Sequence, residues 1–462
     1  MTSIDLTYGK TRLNFKVEDA FLAGPLIKPK MSEAISGNNC DIITGCFQNP
    51  KGRQPLRSVV KDKRVGLVIS DELRVGLQEQ IISCLLAEIA AGQPKEVFAF
   101  VATGSHHPEI YAKNIVDWIR QYAEKLKLHY WVFPNYCTQK HDYVFLTETT
   151  YKTPVYVHKM WMSCEVRVFG HEAKYHYMNG YSCIDKQVLP GLAYQESIQA
   201  NHKLALHHHD SIAGKNAWHK DIYRQGNPFS QDNKQARKIS ERYIFDPNSG
   251  KLTDAKIITF GLDMVSLKDK IFWIDCGDPD IVCQDMTAAV DKYLGFEVEK
   301  TKYLVISPGG PPASDTLYYV QNCFDMVIKG ALQEKGEALV IAPCGGRPDV
   351  PDKIRGICPD RESMNLFWET LIKFLDKPLE EWLKYVDKEF KLYMWKTDRV
   401  LKLFKDSHIK IYIHSQLPDD VLVKGGFVPV SDPQAWIDER AARHDGKIRF
   451  VDDGNKLCVL GK

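Results

Sequence analysis

Two histidines and a lysine lie close together between positions 176 and 202, and they are the side chains best suited to chemistry in this chain. They are His176, Lys186 and His202, with Gly180 and Ser182 in the loop between them. A neutral imidazole can bind a metal or move a proton near neutral pH, and a lysine amine can act as a nucleophile. Each alone is more often structural. Their occurrence together, beside a glycine that permits close backbone approach, predicts a ligand site.

A second group of polar residues lies upstream. Asp71 and Arg74 are three positions apart, and His106 follows Thr103-Gly104-Ser105. In isolation, Asp71 and Arg74 would predict a helix cap and a solvated side chain. In a site, the planar guanidinium would suit a carboxylate. The neighbouring His107 is interpreted as structural or as exposed at the rim.

Short apolar runs alternate with amphipathic stretches around these residues, which predicts β-α-β units. The predicted strands cover residues 64–70, 96–102 and 165–169, and the predicted helices cover 77–91, 108–128, 191–205 and 231–243. Parallel α/β sheets bind ligands at the carboxyl ends of their strands. The polar groups described above begin where the predicted strands end, so the sheet would position them.

A second alternation of predicted strands and helices follows a predicted hairpin with strands at 256–261 and 270–275. Its predicted helices cover 286–294, 318–329, 364–374 and 379–403, and its predicted strands cover 303–307, 338–342, 409–414 and 449–451. The sequence therefore predicts two α/β domains, residues 1–278 and 279–462, with the active site in the cleft between them. The last strand is the one element that could return to the first domain.

The composition of the chain excludes several classes of function. The chain has 462 residues, 44% hydrophobic and 26% charged, with a formal net charge of +2 at pH 7. It shows no long basic run, no apolar tract that could cross a bilayer and no signal-peptide pattern. The 12 cysteines have no CxxC pair, which favours reduced thiols. These features predict a cytoplasmic protein that acts on small molecules and binds neither nucleic acid nor membrane.

The order and spacing of the polar residues resemble the family of nickel-pincer-nucleotide-dependent lactate racemases. The resemblance rests on His176, Gly180, Ser182, Lys186, Pro190, Gly191 and His202, on Ser70-Asp71-Glu72-Leu73-Arg74 and Thr103-Gly104-Ser105-His106 upstream, and on Gly226-Asn227-Pro228 and Gly309-Gly310-Pro311-Pro312 downstream. It spans most of the chain. It implies an isomerase that inverts C2 of a 2-hydroxy acid.

The resemblance also implies how a cofactor would be held. Lys186 would carry the nickel-pincer nucleotide, pyridinium-3,5-bisthiocarboxylic acid mononucleotide nickel, through a thioamide link. His202 would bind its Ni²⁺, and Asp71, Gly180 and Ser182 would belong to the cofactor site. The enzymes that make and install this cofactor would then be partners of the chain.

The resemblance assigns His106 and His176 as the acid and base on the two faces of the substrate, because inversion needs approach from both sides. It assigns Arg74 to the substrate carboxylate. Catalysis would move the C2 hydrogen as hydride to the cofactor's pyridinium ring and back.

The second half of the chain departs from the lactate racemase pattern after Gly309-Gly310-Pro311-Pro312. Lactate racemases have a Tyr-Gln pair there and a lysine three residues on, whereas this chain places Tyr318, Tyr319 and Asn322 at those positions. Only the tyrosine of the pair is kept in this ungapped placement, and a small shift would make Asp315 and Gln321 the matching residues. Tyr318, Tyr319 and Asn322 are predicted to line the substrate site, and their neutral donors and acceptors predict a longer, hydroxylated 2-hydroxy acid, such as the sugar acid gluconate.

Two alternatives remain open from the sequence. A divalent-metal hydrolase or lyase could use His106, His176 and His202 as direct metal ligands, and it would be reconstituted by zinc or manganese alone. A relative that has lost catalysis could bind a ligand without acquiring a lysine adduct. No GxxxxGK[ST], GxGxxG, HExxH or GxSxG motif supports a different class of enzyme.

Overall fold

The most apolar runs of the sequence form the central strands of two parallel sheets. We describe a computed structural model of the chain, which covers residues 1–73, 76–207, 209–360 and 362–462. In chain order the strands are β1 (Thr2–Tyr8), β2 (Thr11–Val17), β3 (Arg64–Ser70), β4 (Glu96–Ala102), β5 (Tyr130–Pro134), β6 (Tyr143–Glu148), β7 (Pro154–His158), β8 (Val166–Glu172), β9 (Lys174–His176), β10 (Gly180–Ser182), β11 (Tyr243–Asp246), β12 (Lys251–Asp254), β13 (Ile258–Leu267), β14 (Lys270–Gly277), β15 (Gly295–Val298), β16 (Thr301–Ile306), β17 (Leu332–Ile341), β18 (Lys410–His414), β19 (Val428–Pro429), β20 (Ile448–Val451) and β21 (Cys458–Gly461).

Most helices follow these strands as crossover connections. They are α1 (Asn39–Cys46), α2 (Leu56–Val59), α3 (Gln78–Ala91), α4 (Pro108–Tyr111), α5 (Lys113–Lys125), α6 (Lys159–Met162), α7 (Asp185–Val188), α8 (Gln195–Lys203), α9 (Pro228–Ser240), α10 (Pro279–Leu294), α11 (Leu317–Val320), α12 (Lys329–Ala331), α13 (Leu366–Phe374), α14 (Leu379–Glu389), α15 (Met394–Lys405), α16 (Asp419–Lys424) and α17 (Pro433–Ala442). Throughout the described ranges, no helix is both long and apolar enough to span a membrane.

The chain divides into two units that differ from the predicted domains. The large unit is Lys30–Tyr293, and the small unit is Met1–Pro29 with Leu294–Lys462. Helix α10 lies with the large unit, not after a boundary at 278, because its carboxylates pair with that unit's cations. Asp280 binds Arg237 and Asp291 binds Arg224, each at 2.6 Å.

The large unit is built on a six-stranded sheet in the order β14-β13-β8-β3-β4-β5. All neighbouring strands are parallel except the predicted hairpin of β13 and β14. The uninterrupted apolar sequence of β3 fits its burial on both faces. Helix α5 buries Ile115, Val116, Ile119 and Ala123 at helical spacing, and these side chains join the core on one face of the sheet.

The register of the sheet sets where the strands end. Strands β3 and β4 pair from Arg64↔Glu96 to Ser70↔Ala102, so they finish side by side. Strand β8 pairs with the other edge of β3, with Gly170 opposite Ile69. The loops after β8, β3 and β4 therefore leave the same edge of the sheet.

The small unit contains a parallel five-stranded sheet in the order β19-β18-β17-β16-β20. The strand predicted at 449–451 is β20, which pairs with β16 in this unit rather than returning to the large one. The N-terminal hairpin of β1 and β2, which was not predicted from the sequence, buries Ile4, Leu6 and Phe15 in the core of this sheet. The core of the small unit therefore contains residues from both ends of the chain.

The predicted helix at 379–403 is two helices, α14 and α15. Tyr393 between them has a φ of 80°, which a continuous right-handed helix cannot contain. The break lets α15 take its own direction, and this helix carries the buried residues Lys396, Asp398 and Arg399.

Candidate functional site

Three predicted site residues follow neighbouring strands of the large unit. Asp71 follows β3, His106 follows β4, and His176 ends β9, the short strand after β8. Because β8, β3 and β4 are adjacent and parallel, their carboxyl ends bring these side chains to one edge. The chain order reverses between β3 and β8, and such a switch point is where open α/β sheets bind ligands.

Asp71 and His106 form a hydrogen-bonded pair. The Asp71 carboxylate is buried, and its Oδ2 lies 2.5 Å from His106 Nδ1, while its Oδ1 has no hydrogen-bond partner among the described residues. A carboxylate can only accept, so Nδ1 carries the proton and the lone pair lies on Nε2. The His106 side chain keeps 31% of its surface exposed. The pair therefore presents a reachable imidazole base.

His176 carries its ring proton on the other nitrogen from His106. Its Nδ1 accepts from the backbone N–H groups of Met178 at 3.3 Å and Asn179 at 3.2 Å, so the ring proton lies on Nε2. That nitrogen lies 2.7 Å from Nζ of the buried Lys186. The amine of Lys186 therefore lies within hydrogen-bond distance of the His176 ring. The contact therefore pairs an acid with a nucleophilic amine.

Lys186 is positioned by its neighbour Asp185 in the short helix α7. Both oxygens of the buried Asp185 carboxylate are occupied: Oδ2 accepts from Trp218 Nε1 at 2.6 Å, and Oδ1 accepts from Arg237 Nε. Arg237, on α9, is also fully buried. These contacts fix the orientation of α7 and with it the direction of Lys186. None of these three residues is predicted from the sequence, since their contacts join distant parts of the chain.

We expect Arg237→Met to lower the free energy of unfolding by about 3–5 kcal/mol, because it leaves the Asp185 carboxylate buried without its cation. Urea denaturation measures the change. The matched control is Lys238→Met on the same helix, since Lys238 is 44% exposed and also pairs with Asp280 and Glu241. Its expected effect is below about 1 kcal/mol. Equal losses in the two variants would contradict the positioning role.

His202, on α8, is held with one nitrogen available. Its Nδ1–H donates to the Ile198 carbonyl oxygen at 2.9 Å, which leaves the lone pair on Nε2. Burial, with smaller contributions from the nearby Lys186 and His106, lowers the pKa of His202 to about 3. The imidazole is therefore neutral, as a metal ligand must be. These interactions bring His202 into the same group as Lys186 and His106.

Gly180 and Ser182 have clear structural partners. Gly180 has a φ of +78°, and a Cβ there would lie 1.7 Å from the Lys215 carbonyl oxygen, so the hairpin requires glycine at this position. Ser182 Oγ lies 3.0 Å from Nε2 of the buried His171, whose Nδ1 lies 2.9 Å from Asp263 Oδ1. Their contribution to a cofactor site stays a prediction.

The turn Gly226-Asn227-Pro228 begins α9 and supports the hairpin that carries His176. Asn227 Oδ1 accepts from Ser230 N at 3.1 Å, which caps the helix. Its Nδ2 donates to the carbonyl oxygens of Met178 and Lys215, each at 2.8 Å. One asparagine therefore ties the helix with Arg237 to the loop that fixes the His176 tautomer.

The remaining predicted residues lie elsewhere or outside the described ranges. Tyr318, Tyr319 and Asn322 belong to the small unit, in and just after α11. Arg74 lies outside the described residues. Among the residues that are described, no three His, Cys, Asp or Glu side chains are grouped so that they could hold a metal ion. The geometry thus gives no support to direct ligation by His106, His176 and His202 together.

Comparison with known proteins finds a family match in the N-terminal part of the chain. Residues 8–214 match the lactate racemase N-terminal domain, and this range includes Asp71, His106, His176, Lys186 and His202. This part of the chain, a little under half of it, is therefore similar to the N-terminal domain of lactate racemase.

Two characterised relatives carry the name lactate racemase. The protein from Lactiplantibacillus plantarum is 22% identical over 226 residues, covering 48% of this chain and 52% of its own length. The protein from Thermoanaerobacterium thermosaccharolyticum is 22% identical over 204 residues, covering 44% and 47%. The aligned part of this chain thus spans about half the length of these relatives.

Two solved structures share the fold of this chain. The lactate racemase apoprotein from Thermoanaerobacterium thermosaccharolyticum superposes with a TM-score of 0.76 at 18% identity, covering 99% of this chain and 100% of that one. A protein from Thermotoga maritima superposes with a TM-score of 0.61 at 14% identity, covering 88% and 96%. At such identities the likeness establishes an α/β fold in common.

Proposed function

We propose that this chain is a racemase or epimerase that inverts C2 of a 2-hydroxy acid, with a nickel-pincer nucleotide attached to Lys186. The observation that carries the proposal is the buried contact of the Lys186 amine with His176 Nε2 at 2.7 Å. It presents a nucleophilic nitrogen and an acid–base group in one place. The match to the lactate racemase N-terminal domain and the names of the two relatives support the same class of reaction.

The donor set fits the proposed group. Lys186 offers an amine for a covalent link, and His202 offers one imidazole nitrogen with its other nitrogen already bonded. A group that brings its own sulfur and carbon ligands to nickel needs no more from the protein than that nitrogen. When bound, it supplies the metal and an aromatic ring that accepts hydride from C2 and returns it. Cofactor-maturation enzymes would be needed to make and install it.

The two histidines suit opposite proton transfers. His106 carries its lone pair on Nε2 and can take the proton of a substrate hydroxyl, while the Asp71 carboxylate stabilises the imidazolium that forms. His176 carries its proton on Nε2 and can give it. Racemisation in both directions needs one imidazole of each kind, with the roles exchanged for the other stereoisomer. The proposed substrate is a longer hydroxylated acid, such as gluconate, rather than lactate.

Isotope tracing tests the reaction. With protein produced alongside the maturation enzymes, a 2-deuterated substrate should react more slowly than the protiated one and keep its label in both stereoisomers, because the C2 hydrogen never becomes a solvent-exchangeable proton. Mass spectrometry of the separated stereoisomers measures the label. The control is the unlabelled substrate in D₂O, which should take up no deuterium at C2. Rapid exchange with solvent would point instead to removal of the C2 hydrogen as a proton and would overturn the proposed mechanism.

A further inference from the structure

Three buried asparagines of the large unit join helix α8, which carries His202, to the loop that follows His176. They are Asn201 on α8, Asn233 on α9 and Asn179 in the loop, and all three side chains are fully buried. Asn201 Nδ2 donates to Asn233 Oδ1 at 3.0 Å. Asn233 Nδ2 donates in turn to Asn179 Oδ1 at 3.1 Å. These three residues form a continuous amide bridge between the two parts of the candidate site.

A carboxylate fixes the direction of the amide bridge at one end. Asp232 Oδ2 accepts from Asn201 Nδ2 at 2.8 Å. The same carboxyl group accepts from Thr149 Oγ1 at 2.5 Å and from Thr153 Oγ1 at 2.9 Å. Burial raises the pKa of Asp232, while these three donors oppose that shift and favour the charged form. Because a carboxylate only accepts, Asn201 must turn its NH₂ group towards Asp232 and Asn233, although its Oδ1 then has no partner in the described part of the chain.

A backbone carbonyl fixes the direction at the other end. Asn179 Nδ2 donates to the Tyr181 carbonyl oxygen at 2.6 Å, so its Oδ1 must face Asn233. Asn233 therefore has to accept with one side-chain atom and donate with the other, which an amide can do and an apolar side chain cannot. The backbone N–H of the same Asn179 donates to His176 Nδ1 at 3.2 Å. The amide bridge thus holds a residue whose main chain keeps the proton of His176 on Nε2.

We infer that Asn233 is a positioning residue that maintains the tautomer of His176 and ties its loop to the helix of His202. It acts through Asn179 and Asn201, the two residues that it bonds. Without the N–H of Asn233, the buried Oδ1 of Asn179 loses its donor, which is costly for a buried amide. The loop then relaxes, and its N–H groups hold His176 Nδ1 less firmly. This inference rests on the proposed function, since the tautomer matters because His176 gives its Nε2 proton in the proposed reaction.

Nitrogen NMR of the unloaded full chain, made with isotopically labelled histidine, tests the inference. In mildly alkaline buffer the imidazoles are neutral, and the shifts of the two ring nitrogens show which of them carries the proton. The signals of His176 are those that disappear in His176→Gln. The wild type should carry the proton of His176 on Nε2. Asn233→Leu should shift the ratio of the two tautomers about fivefold or more towards Nδ1–H, the scale of one lost hydrogen bond.

Two further variants separate positioning from a general loss of stability. Ile119→Ala removes a buried side chain of the sheet core on α5 and should lower Tm while His176 keeps its tautomer. Asn233→Ala removes the same donor and acceptor as Asn233→Leu without added bulk, and alanine favours the helix, so it decides the question if the leucine variant does not fold. An unchanged tautomer in Asn233→Ala, an equal shift in Ile119→Ala, or a wild-type proton on Nδ1 would overturn the inference.

Kinetics of the protein loaded with cofactor separate this inference from the proposed function. With gluconate and with lactate, Asn233→Ala should lower kcat about five- to tenfold and leave KM within about twofold, because Asn233 acts on a proton-transfer group and not on the binding of the acid. A loss confined to KM would contradict the positioning role. Wild-type protein that isomerises neither acid contradicts the proposed function, while a tautomer shift in the NMR experiment still supports the role of Asn233.

Discussion

Lys186→Ala should abolish the covalent adduct and lower kcat/KM by roughly three orders of magnitude or more, the scale on which removal of a covalent catalytic group acts. The physical reason is that Lys186 Nζ is the buried amine that faces an imidazole donor at the candidate site. Mass spectrometry of peptides from protein made with the maturation enzymes should find the adduct on the peptide containing Lys186 and on no other. Metal analysis of the same samples should show that nickel is lost with it.

The control for that variant is Lys203→Ala, which removes an exposed lysine next to His202 and should keep both adduct and activity. His202→Ala is expected to lose nickel while keeping some organic adduct, since the two attachments are made by different side chains. An adduct on another lysine, or an unchanged adduct in Lys186→Ala, would contradict the assignment. Neither result would change the fold described for the large unit.

The strands that carry the site could be predicted closely because they are short apolar runs buried on both faces. The predicted strands at 64–70 and 96–102 coincide with β3 and β4. Their ends fix where Asp71 and His106 lie, so a sheet rule was sufficient to group these two residues. The hairpin of β13 and β14 was also predicted correctly, because its two strands are adjacent in the sequence.

Contacts between distant segments could not be predicted in the same way. Asp185 and Arg237 are 52 positions apart, and Asn179 and Asn233 are 54 positions apart. Nothing in the local pattern of either pair indicates its partner. The two units differ from the predicted division for the same reason, because α10 is held by long-range ion pairs and the N-terminal hairpin by a core formed mostly from the C-terminal half.

The hydrogen-bond partners of the two histidines could not be predicted from the sequence. The order of residues names His106 and His176 but cannot say which nitrogen holds the proton. The structure gives His106 a carboxylate at Nδ1 and gives His176 two backbone N–H groups there. The two histidine side chains therefore suit opposite proton transfers, one accepting and one giving a proton at Nε2.

His106→Asn should lower kcat about 10²- to 10⁴-fold, the usual contribution of a general base, and should leave the Lys186 adduct intact. Asp71→Asn should have a smaller effect in the same direction. An amide can donate to Nδ1 where the carboxylate only accepts, so the ring would be held in the tautomer with its proton on Nε2, where it cannot act as a base. The His106→Asn variant should bind the cofactor and nickel as the wild type does, which separates loss of proton transfer from loss of the attachment at Lys186.

The neighbouring histidine supplies the matched control. His107→Asn changes the same residue type one position along, at a side chain interpreted as structural, and is expected to affect kcat by less than about threefold. Steady-state rates in both directions, measured with each stereoisomer, should fall together in His106→Asn, because inversion in either direction needs both imidazoles. If His107→Asn were as damaging as His106→Asn, or if Asp71→Asn had no effect, the pair of Asp71 and His106 would not be the base. The assignment of His106 as the base depends on the tautomer that Asp71 sets. The rate of the Asp71→Asn variant therefore tests this assignment directly.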